Sequence, residues 1–168
     1  MVTRAFYTTL MVGLLAVGCA SKKPTNTQDD AAATGADNSR NAGLTLDLNG
    51  DSDSKTAGGL QTVFFAVDSS NFDSEGKAAL QSNAAFLKTN GSVDIQVEGH
   101  ADERGGRQYN LALGERRAKA VRDYLVAQGV ESKRLSVISY GNERPKAEGH
   151  DESAWSQNRR ANFVITAK

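Results

Sequence analysis

Cysteine is almost missing from this 168-residue chain, which carries only Cys19. One thiol excludes an intramolecular disulfide and a cysteine-built metal cluster. Histidine is nearly as scarce. His100 and His150 stand 50 residues apart and leave little for a histidine metal site. Net charge is absent as well, with 20 basic residues against 20 acidic ones. That balance argues against a dedicated nucleic-acid binder, which needs a basic excess. No apolar run reaches the roughly 20 residues that span a bilayer as a helix. The length leaves room for about one ordinary domain and excludes a multidomain enzyme or a large solenoid.

What is present divides into three regions. Residues 1–18 read as a secretory signal, with Arg4 the only charge and a short apolar stretch from Ala5 to Val17. The stretch ends in Leu15-Ala16-Val17-Gly18-Cys19, which resembles a bacterial lipobox. It implies cleavage before Cys19 and a lipid on that thiol, since an unpaired cysteine is poorly suited to an oxidising compartment. Residues 19–60 read as a flexible tether. They hold no aromatic residue and are rich in Ser, Thr, Asn, Asp, Ala and Gly, too little apolar surface to offset chain entropy. Leu44, Leu46 and Leu48 alternate and allow a short edge strand there. Asp47 to Asp53 resembles half a calcium loop, but Ser52 and Gly58 occupy the positions of its glycine and closing glutamate. A solvated acidic linker is the simpler reading, and nothing in the chain calls for a cofactor or a metal.

Residues 61–168 read as the folded domain. Gln61–Val67 is β-branched and aromatic, a buried strand. Asp73-Ser74-Glu75 opens a helix whose apolar face is Leu80, Ala84 and Leu87, and Asn90-Gly91 closes it. Val93, Ile95 and Val97 alternate with polar residues as a second strand. After a loop over 99–107, Asn110 offers a cap for a long helix that Gly129 ends. Leu135–Tyr140, a turn or two of helix over 152–158, and Ala161–Thr166 complete a β-α-β-α-β-(α)-β order. The expectation is an α/β (α+β) two-layer sandwich, with helices on one face of a mixed sheet and the first three strands running parallel.

The long helix carries an anomaly. Leu113, Arg117, Val121 and Leu125 form its inward stripe, so a guanidinium sits where an apolar side chain belongs. Unpaired burial would cost several kcal/mol. Asp102 follows the second strand and Asp68 follows the first, both at carboxyl ends where ligands bind between parallel strands. Gly99 lets the backbone turn there. Two acids and one arginine would suit a zwitterion such as an amino-acid head, because Arg grips carboxylates and Asp accepts from ammonium. A purely structural Asp–Arg pair accounts for the same pattern equally well.

Gly99-His100-Ala101-Asp102-Glu103-Arg104-Gly105 followed by Tyr109-Asn110-Leu111-Ala112-Leu113-Gly114-Glu115-Arg116-Arg117-Ala118 resembles the central motif of OmpA-like domains. Val137 to Gly141, Gly149 to Glu152 and Asn158 to Ala161 follow in the family's order. Joined to the lipobox, these forms resemble the branch of peptidoglycan-associated lipoproteins of Gram-negative bacteria. The resemblance implies a non-enzymatic protein that binds peptidoglycan through the meso-diaminopimelate of the peptide stem. It places the ligand ammonium on Asp102 and a ligand carboxylate on Arg117. Asp68, Val67, Leu113 and Asn110 line the pocket, with Glu103 beside them. It also implies a lipid anchor in the outer membrane, a domain facing the periplasm, and a part in the Tol-Pal system through its periplasmic propeller protein. Ala20, after the cysteine, agrees with outer-membrane sorting by the same resemblance. Ala66 and Val67 depart from the acidic and aromatic residues common at that strand end, and a small Val67 loosens one wall.

Other residues have plainer readings. Trp155 is a packing residue of the last loop, and Arg159 and Arg160 point to opposite faces of a strand and are solvated. One of that pair could still serve the cleft. His100 is a hydrogen-bonded structural histidine. A wall-processing glycosidase on Asp102 and Glu103 is the rival in another class, but adjacent acids in one loop do not set the carboxylate separation such chemistry needs. A Tol-binding lipoprotein with weak wall affinity is the remaining alternative.

Overall fold

The computed structural model describes residues 46–168. The expected signal segment, Cys19 and the tether as far as residue 45 lie outside the described residues. Strand β1 is Val63–Phe64 and helix α1 is Ser74–Thr89, capped by Asp73, whose side chain accepts from the Gly76 N–H. Strand β2 is Asp94–His100 and helix α2 is Arg107–Ala127. A 3₁₀ turn over Ser132–Arg134 leads into β3, Leu135–Gly141. Helix α3, Glu152–Asn158, is capped by Asp151 and leads into β4, Arg160–Ala167.

The expected β-α-β-α-β-α-β order is therefore the observed one. The sheet order is β1-β4-β2-β3, with β4 antiparallel to both of its neighbours and β2 parallel to β3. The first three strands run the same way, and β4 inserts between β1 and β2. Ile95 and Val97 of β2 and Phe163 and Ile165 of β4 join Leu80, Leu87, Val121 and Leu125 in one core under the helices. These are the alternating and helical-period positions of the sequence, each driven inward by its apolar area.

Three local features differ from expectation. β1 is shorter than 61–67, because the Asn83 side chain, fully buried, takes both the N–H and the C=O of Gln61 in place of a strand partner. Asn110 does not cap α2. The helix begins at Arg107, and Asn110 Nδ2 donates back to the Arg104 carbonyl at 3.1 Å. Gly99 has no left-handed backbone. It is glycine because the carbonyl of Gly114 in α2 would lie 1.8 Å from any Cβ built there.

The tether also ends earlier than residue 60. Asn49 and Ser52 donate backbone bonds to Ile165 and Phe163 at 2.9 Å, and Gly50 accepts from Ile165 at 3.0 Å. This segment extends the sheet along the edge of β4 that the short β1 leaves open. Ala57 and Leu60 are buried in the core. The polar residues that suggested a solvated linker cover the sheet face opposite the helices. Asp53 pairs with Arg160 at 2.6 Å and with Lys146 at 3.2 Å, so it is an internal counter-ion.

That opposite face is polar and closed. Ser52 Oγ donates to Asn162 Oδ1, and Asn162 Nδ2 donates to Glu98 Oε2 at 3.0 Å. His100 is 1% exposed and makes no side-chain hydrogen bond, which corrects the expected hydrogen-bonded histidine. Glu98 lies 3.7 Å from it, and the Tyr140 ring is 5.6 Å away, itself stacked on Arg144. Burial pushes the His100 imidazole below its ordinary 6.5, Glu98 and Asp53 pull it back up, and Arg160 opposes them.

The sign of the pH dependence follows. Below about 6.5 the unfolded chain binds a proton at His100 that the fold resists, so stability falls as pH drops. Burial would raise Asp53 and Glu98, but Arg160 on the first, and His100 and Asn162 on the second, leave both carboxyls below their usual range. Their contribution is lost at still lower pH. The exposed His150–Glu103 pair acts in the opposite sense at the surface. Urea denaturation at pH 7.5, 5.5 and 4 should show stepwise loss of stability. His100→Leu should remove the loss between 7.5 and 5.5; an unchanged slope would refute the assignment.

Candidate functional site

A cleft of about 290 Å³ opens where β1 and β2 end and the first turns of α2 pass over them. Val67, Asp68, Asp102, Asn110, Leu113 and Arg117 line it, six of the seven residues singled out from the sequence. Glu103 does not. Its carboxylate accepts from Trp155 Nε1 and faces His150 Nδ1, both at 2.8 Å, on the outer side of the loop. Three other lining residues, Arg104, Gly105 and Tyr109, were not assigned to the site, and a fourth, Arg159, is the member of the Arg159–Arg160 pair that reaches the cleft.

Arg117 is fully buried, as its place in the apolar stripe required. Its guanidinium does not pair with Asp102. Nη1 donates to the His100 carbonyl at 2.7 Å, Nε to Ser69 at 2.8 Å and Nη2 to Ala66 at 3.1 Å. One cation thus pins the backbone leaving β1 to the backbone leaving β2. The Phe65 ring lies 5.0 Å from the guanidinium. Burial, helped by Arg159, pushes the group down to about 10, which leaves it charged at neutral pH.

The partner of Asp102 is instead a pair of arginines. Oδ2 accepts from Arg104 Nη2 at 2.5 Å and from Arg159 Nη1 at 3.3 Å, and Oδ1 accepts from the Arg104 N–H at 3.1 Å. Burial alone would raise the Asp102 carboxyl, but Arg104 and then Arg159 outweigh it and hold it below the usual carboxylate range. Arg159 is buried, with Nε on the Phe65 carbonyl at 3.0 Å and Nη2 on Glu152. The expected solvation of Arg159 and Arg160 is corrected here: the two do point to opposite faces, but each is buried against an acid. Asp68 sits at φ 59°, a left-handed conformation that turns the chain out of β1, and accepts from the Tyr109 hydroxyl. Alternation at the start of β4 was the available signal for Arg159; Arg104 lay inside the Gly99–Gly105 motif and carried no signal of its own.

Three guanidinium groups and two carboxylates therefore share one cleft, walled by Leu113 and Val67. Chemically it can hold a small ligand bearing both signs of charge.

Residues 64–159 match the OmpA family. The chain is 47% identical over 152 residues to the peptidoglycan-associated lipoprotein of Mesorhizobium japonicum, covering 90% of this chain and 86% of that protein. It is 47% identical to the protein of the same name from Pseudomonas aeruginosa, covering 87% of each. The chain belongs to the OmpA family, among the peptidoglycan-associated lipoproteins. The crystal structure of such a lipoprotein from Burkholderia pseudomallei superposes with a TM-score of 0.60 at 44% identity, covering 62% of this chain and 88% of that one. The segment Gly99 to Gly105 supplies Asp102, Arg104 and Gly105 to the cleft, and Tyr109 to Arg117 supplies its helical wall, with Val67, Asp68 and Arg159 completing it.

Proposed function

We propose that this chain is an outer-membrane lipoprotein, anchored by lipid at Cys19 after removal of residues 1–18, whose domain grips peptidoglycan without cleaving it. The ligand is the meso-diaminopimelate of the peptide stem, and the residues that hold it are Asp102, Asp68, Arg117, Val67, Leu113 and Asn110. The observation that carries this reading is the mixed-charge cleft. A zwitterionic amino-acid centre needs an acid for its ammonium and a cation for its carboxylate within a few ångströms. Asp102 and Asp68 beside Arg117, Arg159 and Arg104 supply both. The relatives' name supports the wall as target. Family resemblance alone supports the second partner, the periplasmic propeller protein of the Tol system, and with it a role in envelope integrity and division.

The test is co-sedimentation of the full chain, in detergent, with purified diaminopimelate-type sacculi. The wild type should pellet with the wall. Asp102→Asn, which keeps the side chain's shape, should weaken binding by about tenfold or more, the scale of one lost charge-assisted hydrogen bond. Asp68→Asn should weaken it less, because Asp68 is exposed. Wall turbidity should stay constant; a steady decline would favour a hydrolase. Wild type left in the supernatant, or variants that pellet equally well, would reject the site.

A further inference from the structure

Asp102 lines the cleft but is only 7% exposed, so little of its carboxylate is open to a ligand while its two arginines stay in place. Two guanidinium groups cover it. The Arg159 side chain is 6% exposed and held on three sides by the Phe65 carbonyl, Asp102 and Glu152. The Arg104 side chain is 39% exposed, and Asp102 is the one acid it bonds closely. Its guanidinium lies 4.1 Å from the centre of the Trp155 ring, and its Nη2 is 3.9 Å from Glu152 Oε2. Gly105, at φ 94°, and Gly106, with open space about its Cα, follow it in the chain.

We propose that Arg104 is the built-in counter-ion of Asp102, which a ligand's ammonium must displace, so that Arg104 sets both the affinity and the charge selectivity of the cleft. This rests on the reading of the cleft as an amino-acid-centre site. Oδ2 already accepts from Arg104 and Arg159, so an incoming ammonium would be a third cation at one oxygen, and the more exposed Arg104 is the one free to give way. Glu152 Oε2 offers the displaced guanidinium a second partner, reached by a short swing across the Trp155 face. A ligand with carboxylates and no ammonium cannot make this exchange and leaves Asp102 closed. Selectivity therefore lies in the exchange, and the ligand forgoes part of its gross affinity to make it.

Titration calorimetry of the full chain with meso-diaminopimelate, and with pimelate as the analogue lacking both ammonium groups, tests this. Arg104→Ala should bind meso-diaminopimelate about tenfold more tightly than the wild type, the scale of one charge-assisted contact no longer broken. Its affinity for pimelate should not rise. Arg104→Lys, which restores a cation beside Asp102, should return affinity for meso-diaminopimelate toward the wild-type value. A merely structural Arg104 would lose affinity when truncated, so the direction of change is decisive. If the wild type binds, Asp102→Asn does not, and Arg104→Ala binds no more tightly than the wild type, the displacement proposal is overturned while the site stands. If the wild type fails to bind, or Asp102→Asn binds equally well, the site itself is wrong and the proposal falls with it.

Discussion

Arg117→Ala should lower the stability of the domain by about 4 kcal/mol, measured by urea denaturation. The side chain is fully buried, and each of its three nitrogens donates one of the five N–H groups to a carbonyl, those of Ala66, Ser69 and His100. Truncation leaves these acceptors facing a cavity, and an unsatisfied buried acceptor costs about 1–3 kcal/mol before any water enters. Loss of the desolvated charge offsets part of this. Arg117→Lys should recover little. One ammonium on a flexible stem cannot address three carbonyls that diverge from a planar fork. The consequence for function is specific: Arg117→Ala should abolish wall binding, because it releases the two strand ends and removes a cation of the cleft. Asp102→Asn is the cleaner probe of recognition. If Arg117→Ala unfolds at the same urea concentration as the wild type, the pinning role is wrong.

Gly99→Ala should be comparably damaging, with a loss of about 3 kcal/mol or more and, at that scale, little soluble folded protein. The added methyl would lie 1.8 Å from the Gly114 carbonyl oxygen and 2.5 Å from its carbon. Backbone stands on both sides of the clash, so no rotamer relieves it. Helix α2 must lift from β2 at the point where it carries the cleft wall. Gly114→Ala attacks the same contact from the other side, with Ser139 Oγ at 2.4 Å and the Gly99 carbonyl at 2.7 Å. Gly91→Ala is the matched control: nothing lies within 4 Å of its Cβ, and stability should change by no more than about 0.5 kcal/mol. Equal melting temperatures for Gly99→Ala and Gly91→Ala would refute the close-approach argument.

These two positions also show where a sequence stops being readable. The stripe Leu113, Arg117, Val121, Leu125 announced a buried arginine, because helical period places those four side chains together whatever else the chain does. It could not announce the partner. Carbonyl oxygens belong to every residue alike, so an acid looked the natural counter-group. The same limit applies to Asp102. Its station after β2 was legible, but its pairing with Arg159 depends on where β4 begins relative to β2. Gly99 was legible as a necessary glycine for the wrong reason, since a turn and a close helix approach call for the same residue.

Residues 46–60 are the clearest case of tertiary context overriding composition. Serine, aspartate and glycine imply a solvated linker when apolar area is counted. In the fold they satisfy polar groups on the sheet face turned away from the helices, with Ser52 on Asn162 and Asp53 on Arg160. Composition counts area and cannot count hydrogen bonds that have not yet been formed.

By itself the sequence determined the elements and their order, the apolar faces of α1, α2 and β2, the burial of Arg117 and the clustering of acids at strand ends. These follow from periodicity and from local capping chemistry, which act over a few residues. The tertiary structure alone decided the insertion of β4 between β1 and β2, the polar sheet face closed by 46–60, and the exchange of an Asp102–Arg117 pair for an Asp102–Arg104–Arg159 cluster. The first two, and the Arg159 half of the third, join residues tens of positions apart, whereas Arg104 stands two residues from Asp102. That Arg159 meets Asp102 is set by the sheet order, and no local pattern in the chain encodes it.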